Sequence, residues 1–151
     1  MTEESRFVYV TYIATTAARL WEALTDHDFM RRYWLGYEHE TDWRVGGAWR
    51  RTMPDGRLVD SGEVVAFEPG RRLEMTWRHE MRPELTAEGW SVCTMEIEPA
   101  GAVMKLTVTH AMPRPGSRTI DGVSGGWPQI ISNLKSLIET GSTIMPPRDF
   151  G

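Results

Sequence analysis

The chain reads as an α+β protein, an antiparallel sheet wrapped around one long C-terminal helix. Three observations predict this. From Glu38 to His110 apolar residues mostly recur with a period of two, the strand period. Compact turn signals such as Pro54-Asp55-Gly56, Glu68-Pro69-Gly70 and Pro99-Ala100-Gly101 separate these runs, so successive strands pair as hairpins. After them the period changes. Between Gly126 and Gly141, Trp127, Ile130, Ile131, Leu134, Leu137 and Ile138 fall at the three-and-four spacing of one helix face. Pro128 suits the first helical turn and Gly141 the position just past the end. At ~1.5 Å per residue that helix is roughly 24 Å long, enough to lie across a sheet.

In chain order, Phe7–Ile13 is a first strand, rich in Val, Tyr and Ile. Thr15 or Thr16 can cap a short helix over Ala17–Thr25, with Leu20, Trp21 and Leu24 on one face. Asp26 can cap a second, from His27 to about Tyr33. Strands follow at Glu38–Trp43, Ala48–Met53, Leu58–Phe67, Leu73 to about His79, Trp90–Glu98 and Val103–His110. In the third of these strands, Val64 to Phe67 is apolar on both parities, so its orientation stays open. Residues 81–89 read as a polar loop, and Met112–Ser117 breaks regular structure before the long helix.

A chain of 151 residues is expected to form a single domain over 1–151 that can bury a sizeable core. Its one cysteine, Cys93, excludes an internal disulfide and fits a reducing compartment. Cys93 shares parity with Met95 and Ile97, which predicts a buried, inert thiol. The acidic start, Met1 to Arg6, does not read as a signal peptide, and no apolar run is long enough to insert in a membrane. A cytoplasmic location is expected. The formal net charge is −4 with no basic stripe, which argues against nucleic acid. His27, His39, His79 and His110 stand in no metal-ligand motif, and the serines in no nucleophile elbow. Neither a metal nor another cofactor is expected, and no catalytic residue can be assigned.

The element order and a set of short words together resemble the START-like, or SRPBCC, superfamily. The words include Thr11-Tyr12-Ile13-Ala14-Thr15-Thr16, Leu20-Trp21-Glu22-Ala23-Leu24-Thr25-Asp26, Tyr33-Trp34-Leu35-Gly36, Gly62-Glu63-Val64 and Leu106-Thr107-Val108-Thr109-His110. Within the superfamily they look like bacterial single-domain homologues of the C-terminal domain of the heat-shock-protein-90 ATPase activator. The resemblance implies a helix-grip fold: about seven curved antiparallel strands around a long helix, with two short helices after strand one. It also implies a ligand cavity between sheet and helix. The activator's separate N-terminal chaperone-binding domain has no counterpart in these words.

The functional expectation is therefore a binding protein for an apolar or aromatic small molecule. A chaperone-directed interaction module is the alternative, and a cyclase or hydrolase using His110 or His79 is a third reading. Whether the protein is a monomer or a homodimer stays open. The expected lining residues are Trp34, Trp49, Arg51, Met75, Trp77, Met95, Leu106, His110 and Ile131, chosen for inward parity or helical phase. The entrance is expected where the two short helices and the Met112–Ser117 loop meet the sheet. Arg51 and His110 share parity with apolar residues, so each either pairs or reaches water at a sheet end, or anchors a ligand. As anchors they would favour a carboxylate or a phenol.

Overall fold

The computed structural model describes residues 3–149. Met1 and Thr2, the start of the acidic run, lie outside the described residues. The strands are β1 (Ser5–Ile13), β2 (Glu38–Thr41), β3 (Ala48–Thr52), β4 (Leu58–Glu68), β5 (Arg72–His79), β6 (Ser91–Ala100) and β7 (Val103–Met112). They form one antiparallel sheet in the order β1-β7-β6-β5-β4-β3-β2. Helices α1 (Ala17–Thr25) and α2 (His27–Tyr33) follow β1, and the long helix α4 (Arg118–Thr140) follows β7. This is the helix-grip architecture.

The caps explain the short helices. Thr16 Oγ1 accepts from the Arg19 amide, and Asp26 Oδ1 accepts from the Asp28 and Phe29 amides. Each satisfies backbone donors that a first helical turn leaves free. Along α1, Leu20, Ala23 and Leu24 are buried. Alternation along β5, β6 and β7 sends Leu73, Met75, Trp77, Cys93, Met95, Ile97, Leu106 and Val108 into the core. There they meet Trp127, Ile130, Ile131, Leu134 and Leu137 from α4. Cys93 is fully buried, and burial pushes its thiol pKa up.

The helix α4 begins eight residues before the expected start and is 23 residues long, about 35 Å. The run Gly122-Val123-Ser124-Gly125-Gly126 reads as a breaker, since each interior glycine costs about 0.8–1 kcal/mol relative to alanine. Tertiary contacts outweigh that penalty. Ser117 Oγ accepts from the Ile120 amide, and Glu88, from outside the helix, accepts from the Ser117 hydroxyl and the Arg118 and Thr119 amides. Pro128 consequently lies inside the helix, not in its first turn. Gly141 does end it, with φ 86°. The 81–89 segment also holds a short helix, α3 (Pro83–Thr86), whose Leu85 is buried.

A bulge interrupts the β3–β4 hairpin. Thr52 pairs with Leu58 but Arg51 pairs with Asp60, so Val59 is an extra residue. Arg51 and Thr52 are both buried, as are Val59 and Asp60. Simple alternation fails at this point, and two charged side chains turn inward together.

Candidate functional site

The bulge is at one end of a row of three residues on adjacent strands. Arg51 of β3 is the direct partner of Asp60 on β4, and Asp60 is the direct partner of His79 on β5. Asp60 is only 1% exposed. It forms an ion pair with Arg51 Nη2, and its Oδ1 accepts from Trp77 Nε1 at 2.9 Å. The same oxygen lies 3.2 Å from His79 Nδ1. Burial raises the Asp60 carboxyl pKa, but the Arg51 charge and the His79 and Trp77 hydrogen bonds outweigh it and hold the carboxyl below its usual range. Burial pulls the Arg51 pKa down while Asp60 supports its charge. A guanidinium stays protonated under such a balance.

Arg51 sits in an aromatic cage. Its guanidinium carbon is 4.4 Å from the Trp34 ring centroid, 5.0 Å from Trp77 and 5.1 Å from Tyr37. Such stacking suits the planar, weakly hydrated guanidinium. Among the described residues its Nε and Nη1, both shielded from solvent, have no hydrogen-bond partner. Buried donors left unpaired cost about 1–3 kcal/mol each.

A cleft of about 290 Å³ opens beside this row. Trp34, Leu35 and Tyr37 form one wall, and Arg51, Asp60, Trp77 and His79 the sheet side. The first half of α4 forms the other wall, through Thr119, Val123, Trp127 and Ile130. Gly122 and Gly126 lie one helical turn apart on that wall, and a Cβ at either would meet open space. Thr119 Oγ1 is another buried polar atom without a hydrogen-bond partner among the described residues. Arg82 and Arg148, both exposed, add positive charge to the lining. Leu35 holds φ 57°, a left-handed conformation uncommon for leucine, in the wall itself.

His110 is placed differently. It is fully buried behind Trp77 and Trp127, with ring centroids 5.0 Å and 6.4 Å away. Trp127 Nε1 donates to His110 Nδ1 at 3.1 Å, so that nitrogen carries the lone pair. The proton therefore sits on Nε2 and is donated to Ser91 Oγ at 2.8 Å, while the Ser91 hydroxyl donates to the Trp77 carbonyl at 2.8 Å. Both ring nitrogens of His110 and the Ser91 hydroxyl are thereby satisfied. Burial pulls the His110 pKa down to about 4.

That depressed pKa has a measurable consequence. The unfolded histidine binds protons near pH 6.5 and the folded one only near 4, so stability rises with pH between these values. Acidification through this window is expected to remove up to ~3 kcal/mol through His110. Half-buried His39, also pulled well below its ordinary value by desolvation, adds in the same direction. Urea melts from pH 7 to pH 4 should show a shallower loss in His110→Gln than in the parent. Equal slopes would contradict the neutral, buried assignment.

Of the nine residues expected to line a cavity, Trp34, Arg51 and Trp77 do line the cleft. Trp49, Met75 and Met95, together with Trp34 and Trp77, border a separate interior void of about 20 Å³, room for roughly one water. Trp49 is fixed there by its Nε1 bond to the Thr76 carbonyl, which passes so close over Gly62 that any Cβ would collide. Leu106 and Ile131 are packed solid, and His110 stands behind the cleft wall. The Met112–Ser117 loop contributes no lining residue, so the opening lies further along α4 than expected. Asp60, Tyr37, Thr119 and Arg148 were not foreseen. One signal for Asp60 was present: a turn at Pro54–Gly56 places residues near 60 opposite the inward Arg51. Among the described residues no cluster of three His, Cys, Asp or Glu could hold a metal, and no helix is long and apolar enough to cross a membrane.

Sheet, gripping helix and intervening cleft define a START-like domain of the SRPBCC superfamily. Residues 14–139 match the family model described as "Activator of Hsp90 ATPase homolog 1-like protein", and the chain belongs to that family. Among solved structures it is similar to protein MLL2253 from Mesorhizobium loti, with 25% identity, a TM-score of 0.77 and coverage of 89% of this chain and 97% of that one. It shares its fold with CalU16 from Micromonospora echinospora, at 21% identity, TM-score 0.70 and coverage of 93% and 88%. The fold also recurs in PFC0360w, an HSP90 activator from Plasmodium falciparum, at 21% identity, TM-score 0.72 and coverage of 91% and 96%. No curated protein matches the chain.

Proposed function

We propose that this protein binds an anionic aromatic small molecule in the cleft between sheet and α4. The observation that carries this reading is Arg51. Its Nε and Nη1 are buried without partners at the wall of an open cleft, inside an aromatic cage. With Nη2 held by Asp60, a ligand carboxylate accepts a single charge-assisted hydrogen bond from one of these donors. The ligand's ring then covers Trp34, Tyr37 and Trp127. Arg82 and Arg148 favour the same sign of charge on the ligand. The volume, about 290 Å³, is at the lower end of the ~300–1,000 Å³ usual for ligand sites and suits one small ring system. Glycines at 122 and 126 support the reading, since alanine would strengthen the helix without touching anything.

The test is a titration of tryptophan emission with phenylpyruvate. The parent should bind saturably. Gly126→Leu should fold normally yet lose binding, because its side chain enters the cleft. No saturable change in the folded parent at high micromolar ligand would sink the reading.

A second reading is a protein-interaction module acting on a chaperone ATPase. The family description favours it, as does an exposed apolar strip of Val8, Val10 and Tyr12 on the outer face of β1. It predicts stimulation of a heat-shock-protein-90 ATPase that Val10→Glu abolishes, with no dependence on Gly126.

A further inference from the structure

We propose that His79 and Asp60 form a general-base dyad, and that the cleft interconverts the keto and enol forms of an aryl α-keto acid. The proposal rests on the ligand reading above and adds chemistry to it. Asp60 is ionised beside Arg51, so its oxygens can only accept hydrogen bonds. His79 Nδ1, 3.2 Å from Oδ1, must therefore carry the proton of that bond. In the neutral ring this leaves the lone pair on Nε2. Among the described residues no group hydrogen-bonds Nε2, and His79 lines the cleft with 21% of its side chain exposed. The arrangement holds a base in one tautomer and aims it at ligand space. His110 is the contrast: both of its nitrogens are consumed within the core.

Base and cation lean on the same carboxylate, Arg51 Nη2 on Oδ2 and His79 Nδ1 on Oδ1. A ligand that engages both is thus short between its anionic group and its acidic C–H. An aryl pyruvate has that form. Its carboxylate and keto oxygen face the guanidinium, its methylene is one bond further on, and its ring lies in the aromatic wall. His79 Nε2 takes a methylene proton. The C–H electron pair becomes the carbon–carbon double bond, and the carbonyl pair moves onto oxygen beside Arg51. The imidazolium then returns its proton to that oxygen, giving the enol. No oxidant or second reactant is needed. Asp60 does not touch the ligand and acts as a positioning residue that sets the His79 tautomer.

The experiment follows phenylpyruvate in D₂O with the full chain. Proton NMR reads deuterium entering the methylene, and tryptophan emission reads binding in the same samples. The parent should exchange the methylene faster than buffer alone. His79→Gln should bind within about threefold of the parent and lose the added rate by about 100-fold, the lower end of what a positioned base supplies. Nitrogen-15 spectra of the parent should show the His79 proton on Nδ1, a readout that needs no variant. Binding without exchange above buffer, full exchange in His79→Gln, or a proton on Nε2 alone would each overturn the dyad and leave the ligand reading standing. If phenylpyruvate does not bind at all, both fall.

Discussion

Trp127→Ala is expected to lower the unfolding free energy by ~3–5 kcal/mol, the range for truncating a buried aromatic. Trp127 is 2% exposed and packs edge-on against Trp34 and Trp77, with ring centroids 5.3 Å and 5.7 Å away. It also donates the hydrogen bond to His110 Nδ1, so truncation leaves a buried acceptor unpaired in addition to a cavity. Leu134→Ala, fully buried on the same helix, should cost ~2–5 kcal/mol. Lys135→Ala, one residue on, should stay within about 1 kcal/mol, since its ion pair with Glu139 and its bond to the Tyr12 carbonyl lie at the partly exposed edge of the helix. Urea melts of the three variants check the assignment. Similar losses at Leu134 and Lys135 would show that the helix face is wrong.

Breaking the Arg51–Asp60 pair is expected to have an effect of the same size. Arg51→Met strands a carboxylate that is 1% exposed, and removing one partner of a buried pair typically costs ~3–5 kcal/mol. Asp60→Asn strands the guanidinium instead. The two should differ in their response to phenylpyruvate. In Asp60→Asn the unpaired Arg51 gains an anion from the ligand, so ligand should raise the melting temperature more than in the parent. In Arg51→Met the cleft loses its cation and ligand should not stabilise at all. Replacing both residues together should cost less than the sum of the single changes, because neither charge is then left alone. Equal ligand responses in the two single variants would separate the pair from the binding site.

Much of the fold was legible because it follows from local chemistry. Thr16 and Asp26 announce the two short helices, and alternation in β5, β6 and β7 places their inward residues correctly. The start of α4 was not legible. Gly122, Gly125 and Gly126 lower local helix propensity, and the Glu88 carboxylate that caps the helix is remote in sequence. In the cleft, parity alone pointed to Trp34, Arg51 and Trp77. It could not reach Asp60, because the bulge at Val59 breaks the period that parity depends on. His110 has the inward position its parity predicts, but only the Trp127 and Ser91 partners reveal that it is a satisfied core residue. The Arg51–Asp60–His79 row is a property of register between three strands, and register is a tertiary fact.

The proposed binding of an anionic ligand requires that Arg51 present an unpaired donor to it in this cleft. The most direct measurement is the side-chain Nε–H resonance of Arg51 in nitrogen-15-labelled protein during a phenylpyruvate titration. The resonance should move downfield and saturate, with the indole N–H signals of Trp77 and Trp127 moving in step, and Gly126→Leu should abolish all three changes. An Arg51 resonance that stays fixed while the ligand perturbs only outer-face residues such as Trp90 would contradict the claim.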